Sequence, residues 1–196
     1  MIQNYIAYLI FIDEKLSKFF ERQKPYICCK KGCGKCCQNA QFPYSQIEIV
    51  YLLQGASKLD DEKINIIMNN INAIKEKKEN FSGEKFLYDC PFLIDNQCSV
   101  YPYRGVICRS FGLMNISENG KVKVPFCCFD GYNYSNVMED DGTNVSAEKF
   151  QKLGIKEEPL AFHTDYQFLT DSDFEKMFHF KFGDKKPMIE WLMNFK

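Results

Sequence analysis

Several features are scarce in this chain of 196 residues, and each absence excludes something. The apolar run inside the N-terminal stretch MIQNYIAYLIFIDEKL is about eight residues, far below the ~20 that cross a bilayer. That stretch also has no basic start and no small-residue cleavage site, so it does not read as a secretory signal. Neither sign of charge dominates. The 25 Lys and Arg against 26 Asp and Glu leave a formal charge of −1, without the basic face that nucleic acid requires. Histidine is nearly absent. The two present, His163 and His179, lie outside the cysteine-rich region and read as structural, so no cysteine–histidine nucleophile pair can be argued. Neither GxGxxG nor GxxxxGK(S/T) occurs, which removes the common phosphate loops. There is no internal repeat of solenoid period and no regular strand–helix alternation, so a Rossmann fold or an α/β barrel is not expected.

What the chain does have is cysteine, ten residues of it. Disulfide scaffolds are denser, at about 8–10% cysteine or more, and usually shorter than ~80 residues. Without a signal for export, the expected compartment is the cytoplasm, where thiols stay reduced. There, clustered cysteines point to metal or redox chemistry rather than to structural bridges. The length and the 45% hydrophobic composition suit one domain with a real core, or one domain with an appendage.

Periodicity supplies the frame. Ile2, Ile6, Leu9, Ile12, Leu16 and Phe19 recur at helical spacing, predicting an amphipathic helix over 2–23 that Pro25 stops. Ser45-Gln-Ile-Glu48 is a capping box opening a second helix, which Gly55 can end. A third helix is predicted over 60–78, started by Asp60 or Asp61 and buried through Ile64, Ile67, Met68, Ile71 and Ile74. Residues 85–130 then change character, with turn formers, aromatics and cysteines interleaved. Within them FGLMNISENGKVKVPF reads as a hairpin turning at Asn119–Gly120. A polar loop follows over 131–146, then helices near 147–153 and 171–182, and a last one opened by Pro187. The expected fold is mainly α: a helical domain with a loop-rich, metal-stapled centre and a small β-hairpin. Its expected parts are an N-terminal amphipathic helix (1–24), a cysteine-cluster metal-binding domain (25–130) and a C-terminal helical extension packed on it (131–196).

The cysteines fall into groups. CCKKGCGKCC, residues 28–37, packs five into ten positions, arranged as Cys29-x3-Cys33-x2-Cys36-Cys37 with Cys28 extra. Cys90, Cys98 and Cys108 follow, then the pair Cys127–Cys128. Spacings of two to four residues let one loop supply several thiolates, and glycines 32 and 34 let it fold tightly. Thiolate-only donors select zinc, iron–sulfur clusters or copper(I) over magnesium and calcium. Adjacent cysteines alternate direction in extended chain, so Cys36 and Cys37 are not expected to share one small tetrahedral ion. Eight thiols also exceed one such site, leaving either two sites or one site with supporting cysteines. Cys28 and Cys128 read as small buried hydrophobes. Lys30, Lys31 and Lys35 are either a solvated loop surface or a partial offset to thiolate charge. Arg104 and Arg109 either form ordinary ion pairs, or bond cluster sulfurs or an anionic ligand.

Taken together, CKKGCGKCC (29–37), CPFL (90–93), CSVY (98–101) and RGVICR (104–109) resemble the YkgJ-like cysteine-cluster proteins. Their shared domain is described as zinc- or iron-chelating. The resemblance spans roughly residues 25–130, with Gly105 standing where the family usually has proline. It implies metal ligation by Cys29, Cys33, Cys36, Cys37, Cys90, Cys98, Cys108 and either Cys127 or Cys128, of which Cys127 is taken. The flagellin lysine methylases carry a similar pattern and are linked to an iron–sulfur cluster. Cys29-x3-Cys33-x2-Cys36 also resembles the radical-SAM triad for a 4Fe–4S cluster. However, Lys35 stands where those enzymes have an aromatic, and their larger barrel is missing. The expected function is a cytoplasmic metal-binding protein holding an iron–sulfur cluster or zinc. The alternatives are a cluster-dependent, SAM-linked protein lysine methyltransferase and a structural zinc module for protein interaction. The expected partners are the metal and, in the alternatives, a protein, with no nucleic acid and no membrane.

Overall fold

A computed structural model describes residues 1–30, 32–38, 41–117 and 119–193. Lys31 of the expected basic cluster lies outside the described residues. Helix α1 (Ile2–Gln23) is followed by β1 (Pro43–Ser45), α2 (Gln46–Ala56) and α3 (Asp61–Glu79). The middle of the chain holds β2 (Leu93–Ile94), β3 (Gln97–Cys98), α4 (Val106–Ser110), β4 (Asn115–Ile116) and β5 (Val122–Lys123). The rest comprises α5 (Ala147–Leu153), α6 (Tyr166–Leu169), α7 (Ser172–Phe178), β6 (Lys185–Pro187) and α8 (Met188–Leu192). The architecture is mainly helical with small two-stranded sheets, as the periodicity implied. Among the described residues no helix is long and apolar enough to cross a membrane.

Helix α1 forms over the expected residues, but its buried line is turned toward tyrosine. Tyr5 and Tyr8 are fully buried, while Ile2 and Ile6 are only partly covered. The reason lies at the other end of the chain. The rings of Phe174, Phe178, Phe180 and Phe182 pack tilted or edge-on against Tyr8 at centroid distances of 5.2–5.7 Å, two of them against Tyr5 as well. The Tyr8 hydroxyl donates to the Leu169 carbonyl. Phe180 and Phe182 are free to do this because the helix expected over 171–182 stops at Phe178. His179 turns left-handed (φ 54°) and the following residues run extended into β6.

Helix α2 opens on the expected capping box, with the Ser45 N–H donating to Glu48 at 2.8 Å. Gly55 does not end it; the helix continues to Ala56. A Cβ at Gly55 would lie 2.4 Å from the Tyr103 ring, so the glycine provides clearance for that ring instead. Helix α3 is capped by Asp60 and buries Ile67, Ile71 and Ile74. Burying each such side chain contributes on the order of 1.5–3 kcal/mol.

Two pairings have no local sequence signal. β1 pairs antiparallel with β6, setting Pro43 opposite Pro187 and Tyr44 opposite Lys186. Trp191 Nε1 then donates to the Tyr44 carbonyl at 2.9 Å. β2 and β3 form a tight hairpin whose turn residues, Asp95 and Asn96, are both left-handed (φ 49° and 58°). The expected hairpin also forms, but its strands β4 and β5 have only two residues each.

Apolar side chains gather in three clusters. One joins α2, α3 and α8 with Phe86, Tyr88, Phe92 and Val100. A second joins α1 with Ile47, Val106, Leu113, Leu169, Phe180 and Phe182. The third is built on Tyr26, Met114, Cys128, Tyr134, Val137 and Met138.

Candidate metal centre

Four short segments converge where the clusters leave space. The first follows α1. Gly32 adopts φ +86°, Cys33 N–H donates to Lys30 O at 3.0 Å, and Lys35–Cys37 coil into a 3-10 turn. Gly34 lets this loop lie against the β2–β3 hairpin, because a Cβ there would sit 3.1 Å from Leu93 and 3.2 Å from the Asn96 carbonyl. The second segment is that hairpin, carrying Cys90 before β2 and Cys98 within β3. Cys90 N–H donates to Cys37 O at 2.7 Å, tying the two segments together. The third is α4, which carries Cys108. The fourth is the 3-10 turn Phe126–Asp130, carrying Cys127.

Cys29, Cys33, Cys36, Cys37, Cys90, Cys98, Cys108 and Cys127 all line one cavity of about 730 Å³. Cys28 and Cys128 do not line it. Cys128 packs into an apolar cluster as expected, but Cys28 is exposed, its backbone N–H held by Asn133 Oδ1. All ten cysteines are free thiols. The expectation that Cys36 and Cys37 diverge does not hold. The 3-10 turn replaces extended chain and brings their sulfurs to 3.8 Å.

The electrostatics are those of thiols close together and partly withdrawn from water: Cys29 is exposed, Cys127 buried and the other six half-buried. Burial raises the Cys108 and Cys127 pKa values to about 12. Cys36 is raised by its hydrogen bond with Cys37 and then by burial. At Cys37 the bond with Cys36 works downward, but the bond with Cys90 and burial together prevail. Cys29 and Cys98 are also raised, chiefly by burial. Such a set is costly to ionise alone. A divalent cation inverts the balance, since a coordinated thiol gives up its proton.

The basic residues divide. Arg109 is committed: its guanidinium donates to Asp13, to Arg104 O at 3.0 Å and to Pro102 O at 2.8 Å. Arg104 stacks 3.7 Å over the Tyr101 ring, and its buried Nε has no hydrogen-bond partner among the described residues. Its charge lowers the pKa of Cys36, Cys98 and Cys108 against the larger raising effects. Lys35 pairs with Asp130 at 3.3 Å while lining the cavity.

Two groups on the sulfurs gave no sequence signal. Tyr44 is buried and its hydroxyl lies 3.2 Å from Cys108 Sγ. That oxygen also accepts from Gly105 N–H at 3.2 Å, which anchors it beside the sulfur. A Cβ at Gly105 would stand 2.7 Å from the Glu48 carboxylate and 2.9 Å from the Tyr44 ring, which accounts for glycine at this position. Asn133, in the polar 131–146 loop, donates to Cys29 Sγ at 3.1 Å.

The donor set fits a soft metal: eight thiols, one cavity, no disulfides, and a cation (Arg104) at its wall. Among the described residues no three His, Cys, Asp or Glu side chains already stand at single-ion spacing. A family model, CxxCxxCC, described as “Putative zinc- or iron-chelating domain”, matches residues 28–128. No curated protein and no solved structure matches the chain.

Proposed function

The chain belongs to the CxxCxxCC family of zinc- or iron-chelating domains, and we propose that it holds an iron–sulfur cluster or zinc through the eight cavity cysteines. The observation that carries this reading is selective convergence. Eight of the ten cysteines, drawn from four chain segments, line one cavity, while Cys28 and Cys128 do not. Cys29, Cys33, Cys36 and Cys37 would supply one side of the shell, with Cys90, Cys98, Cys108 and Cys127 facing them. The bound group supplies charge neutralisation and, if iron, electron transfer. Arg104 would offset thiolate charge or hold an anionic group, and Arg109 would fix the loop that presents it. A cytoplasmic location, where thiols stay reduced, is part of this reading.

Eight thiols exceed the four that one zinc ion takes, which suits a polynuclear cluster or two ions. Zinc with Zn–S bonds of ~2.3 Å needs four sulfurs at mutual distances of about 3.8 Å. Cys36 and Cys37 meet that distance, but no third ligand joins them at single-ion spacing among the described residues. Protein purified without oxygen should carry iron with acid-labile sulfide and a visible charge-transfer spectrum. Zinc in four-sulfur stoichiometry would replace the cluster with zinc. Neither metal in folded protein would defeat the reading.

A second reading, cluster-dependent SAM-linked methyl transfer to a protein lysine, draws on two observations. The cavity, at about 730 Å³, is within the ~300–1,000 Å³ of small-molecule sites, and Arg104 lines it as a cation that could face a carboxylate. Calorimetry with SAM on the metal-loaded protein tests it, and no heat of binding would leave metal holding alone. The third reading, a structural zinc module presenting a protein surface, would follow from zinc without SAM binding.

A further inference from the structure

Asn133 lies five residues beyond the family match, in a loop whose sequence, GYNYS, carries no metal-ligand pattern. It is nonetheless 1% exposed and uses its whole side chain. Oδ1 accepts from Cys28 N–H at 2.7 Å. Nδ2 donates to Gly112 O at 3.1 Å and to Cys29 Sγ at 3.1 Å. The orientation of the amide is therefore determined. The backbone N–H of Cys28 needs an acceptor and the Gly112 carbonyl needs a donor, so nitrogen, not oxygen, faces the sulfur. An amide NH2 cannot accept, so Cys29 Sγ must.

The surroundings are built for this contact. Gly112 adopts φ +110°, and a Cβ there would fall 3.0 Å from Asn133 Nδ2 and 3.1 Å from Cys29 Sγ. Any other residue would wedge the two apart. On either side of Asn133 the chain is pinned: Tyr132 N–H donates to Cys127 O at 3.0 Å, and Tyr134 N–H to Tyr26 O at 2.8 Å. One loop thereby holds the first cysteine segment and the last in register.

We infer that Asn133 is a positioning residue of the metal centre, presenting the Cys29 sulfur to the cavity as a hydrogen-bond acceptor. This rests on the metal-centre reading above. An N–H group directed at a coordinated thiolate fixes its orientation and draws charge from it, which raises the reduction potential of an iron cluster and tightens either metal.

Asn133→Asp separates this role from ordinary loop packing. The carboxylate keeps an acceptor for Cys28 N–H but removes the amide donor and sets a negative group against Cys29. In the full-length chain, zinc affinity measured by competition with a chromophoric chelator should fall on the order of 10–100-fold. Where the anaerobic protein carries iron, the midpoint potential of the variant should move to more negative values. Unchanged affinity and potential, whatever happens to thermal stability, would overturn the inference. If the variant does not fold, wild-type protein loaded with an NMR-active cadmium isotope decides. Scalar coupling from cadmium to the Asn133 side-chain amide protons is expected, and its absence with cadmium bound would overturn the assignment. A wild-type chain that binds neither zinc, cadmium nor iron would instead sink the metal-centre reading itself.

Discussion

Helix α1 and the loop that follows it adjoin in sequence but are held by different forces. Along α1, Tyr5, Tyr8, Leu9, Ile12 and Leu16 are all at most 3% exposed and lie against aromatic rings from the far end of the chain. The described part of the 28–38 loop buries no apolar side chain of this kind; its contacts are turns, a glycine laid against a hairpin, and hydrogen bonds to sulfur. The helical frame therefore has its own hydrophobic stabilisation, whereas the described part of the 28–38 loop lacks it and is expected to depend on what binds its sulfurs. The lesson is a division of labour: apolar burial sets where the loops start and end, and the metal fixes what lies between.

Removing the metal should show the largest effect. Structural zinc contributes on the order of 10 kcal/mol in small peptides. In chelated protein, amide hydrogens of Cys33, Cys37 and Cys90 should lose exchange protection while those in the middle of α1 and α3 keep theirs. Equal protection in both forms would erase the distinction between the two regions.

The converse change comes next. Leu9→Ala removes a side chain that is 3% exposed and should cost about 2–5 kcal/mol in denaturant unfolding. Metal bound per folded chain should stay the same. Loss of metal in folded Leu9→Ala protein would mean that the frame and the centre are not separable.

A smaller effect is expected where the frame meets the centre. Gly55→Ala forces a methyl group toward the Tyr103 ring, now 2.4 Å from where that Cβ would lie. The loss should be about 1–3 kcal/mol, read as a lowered Tm. An unchanged Tm would show that Tyr103 moves freely.

The least effect concerns pH. Glu48 is fully buried, accepting from Ser45 N–H, Val106 N–H and the Tyr166 hydroxyl. Burial raises its pKa above 4.5 even though those bonds pull it down. A raised carboxyl favours the folded state fully below 4.5, and that contribution is lost as pH climbs through the folded-state pKa. The stability of wild type relative to Glu48→Gln should therefore decline as pH rises from about 4.5. A difference that grows with pH would reverse the sign.

How much of this was readable in the sequence follows the same division. α1, α2 and α3 announce themselves because apolar period and caps such as Ser45–Glu48 and Asp60 are local signals. The β1–β6 pair joins residues 43–45 to 185–187, and no local pattern encodes a partner that distant. The five-residue helix α4 is too short for periodicity to reveal. At the centre, the spacing of the cysteines marked the residues that line the cavity, since soft donors at short intervals have few other uses. It misjudged Cys36 and Cys37, because extended-chain geometry was assumed where a 3-10 turn forms. It gave no sign of Tyr44 or Asn133, because a tyrosine or asparagine in a loop acquires its meaning only when the fold brings a sulfur to it.

A serine series read by metal content tests the central claim most directly. Wild type, Cys28→Ser, Cys33→Ser, Cys90→Ser, Cys98→Ser and Cys108→Ser would be purified anaerobically and analysed for iron, sulfide and zinc per folded chain. A shell shared between the 28–38 loop and the later segments predicts that Cys33→Ser and Cys108→Ser each lose metal, while Cys28→Ser, whose sulfur lies outside the cavity, retains it. Full metal retained in all three of Cys90→Ser, Cys98→Ser and Cys108→Ser would contradict a shared shell and show the cysteine groups to be independent.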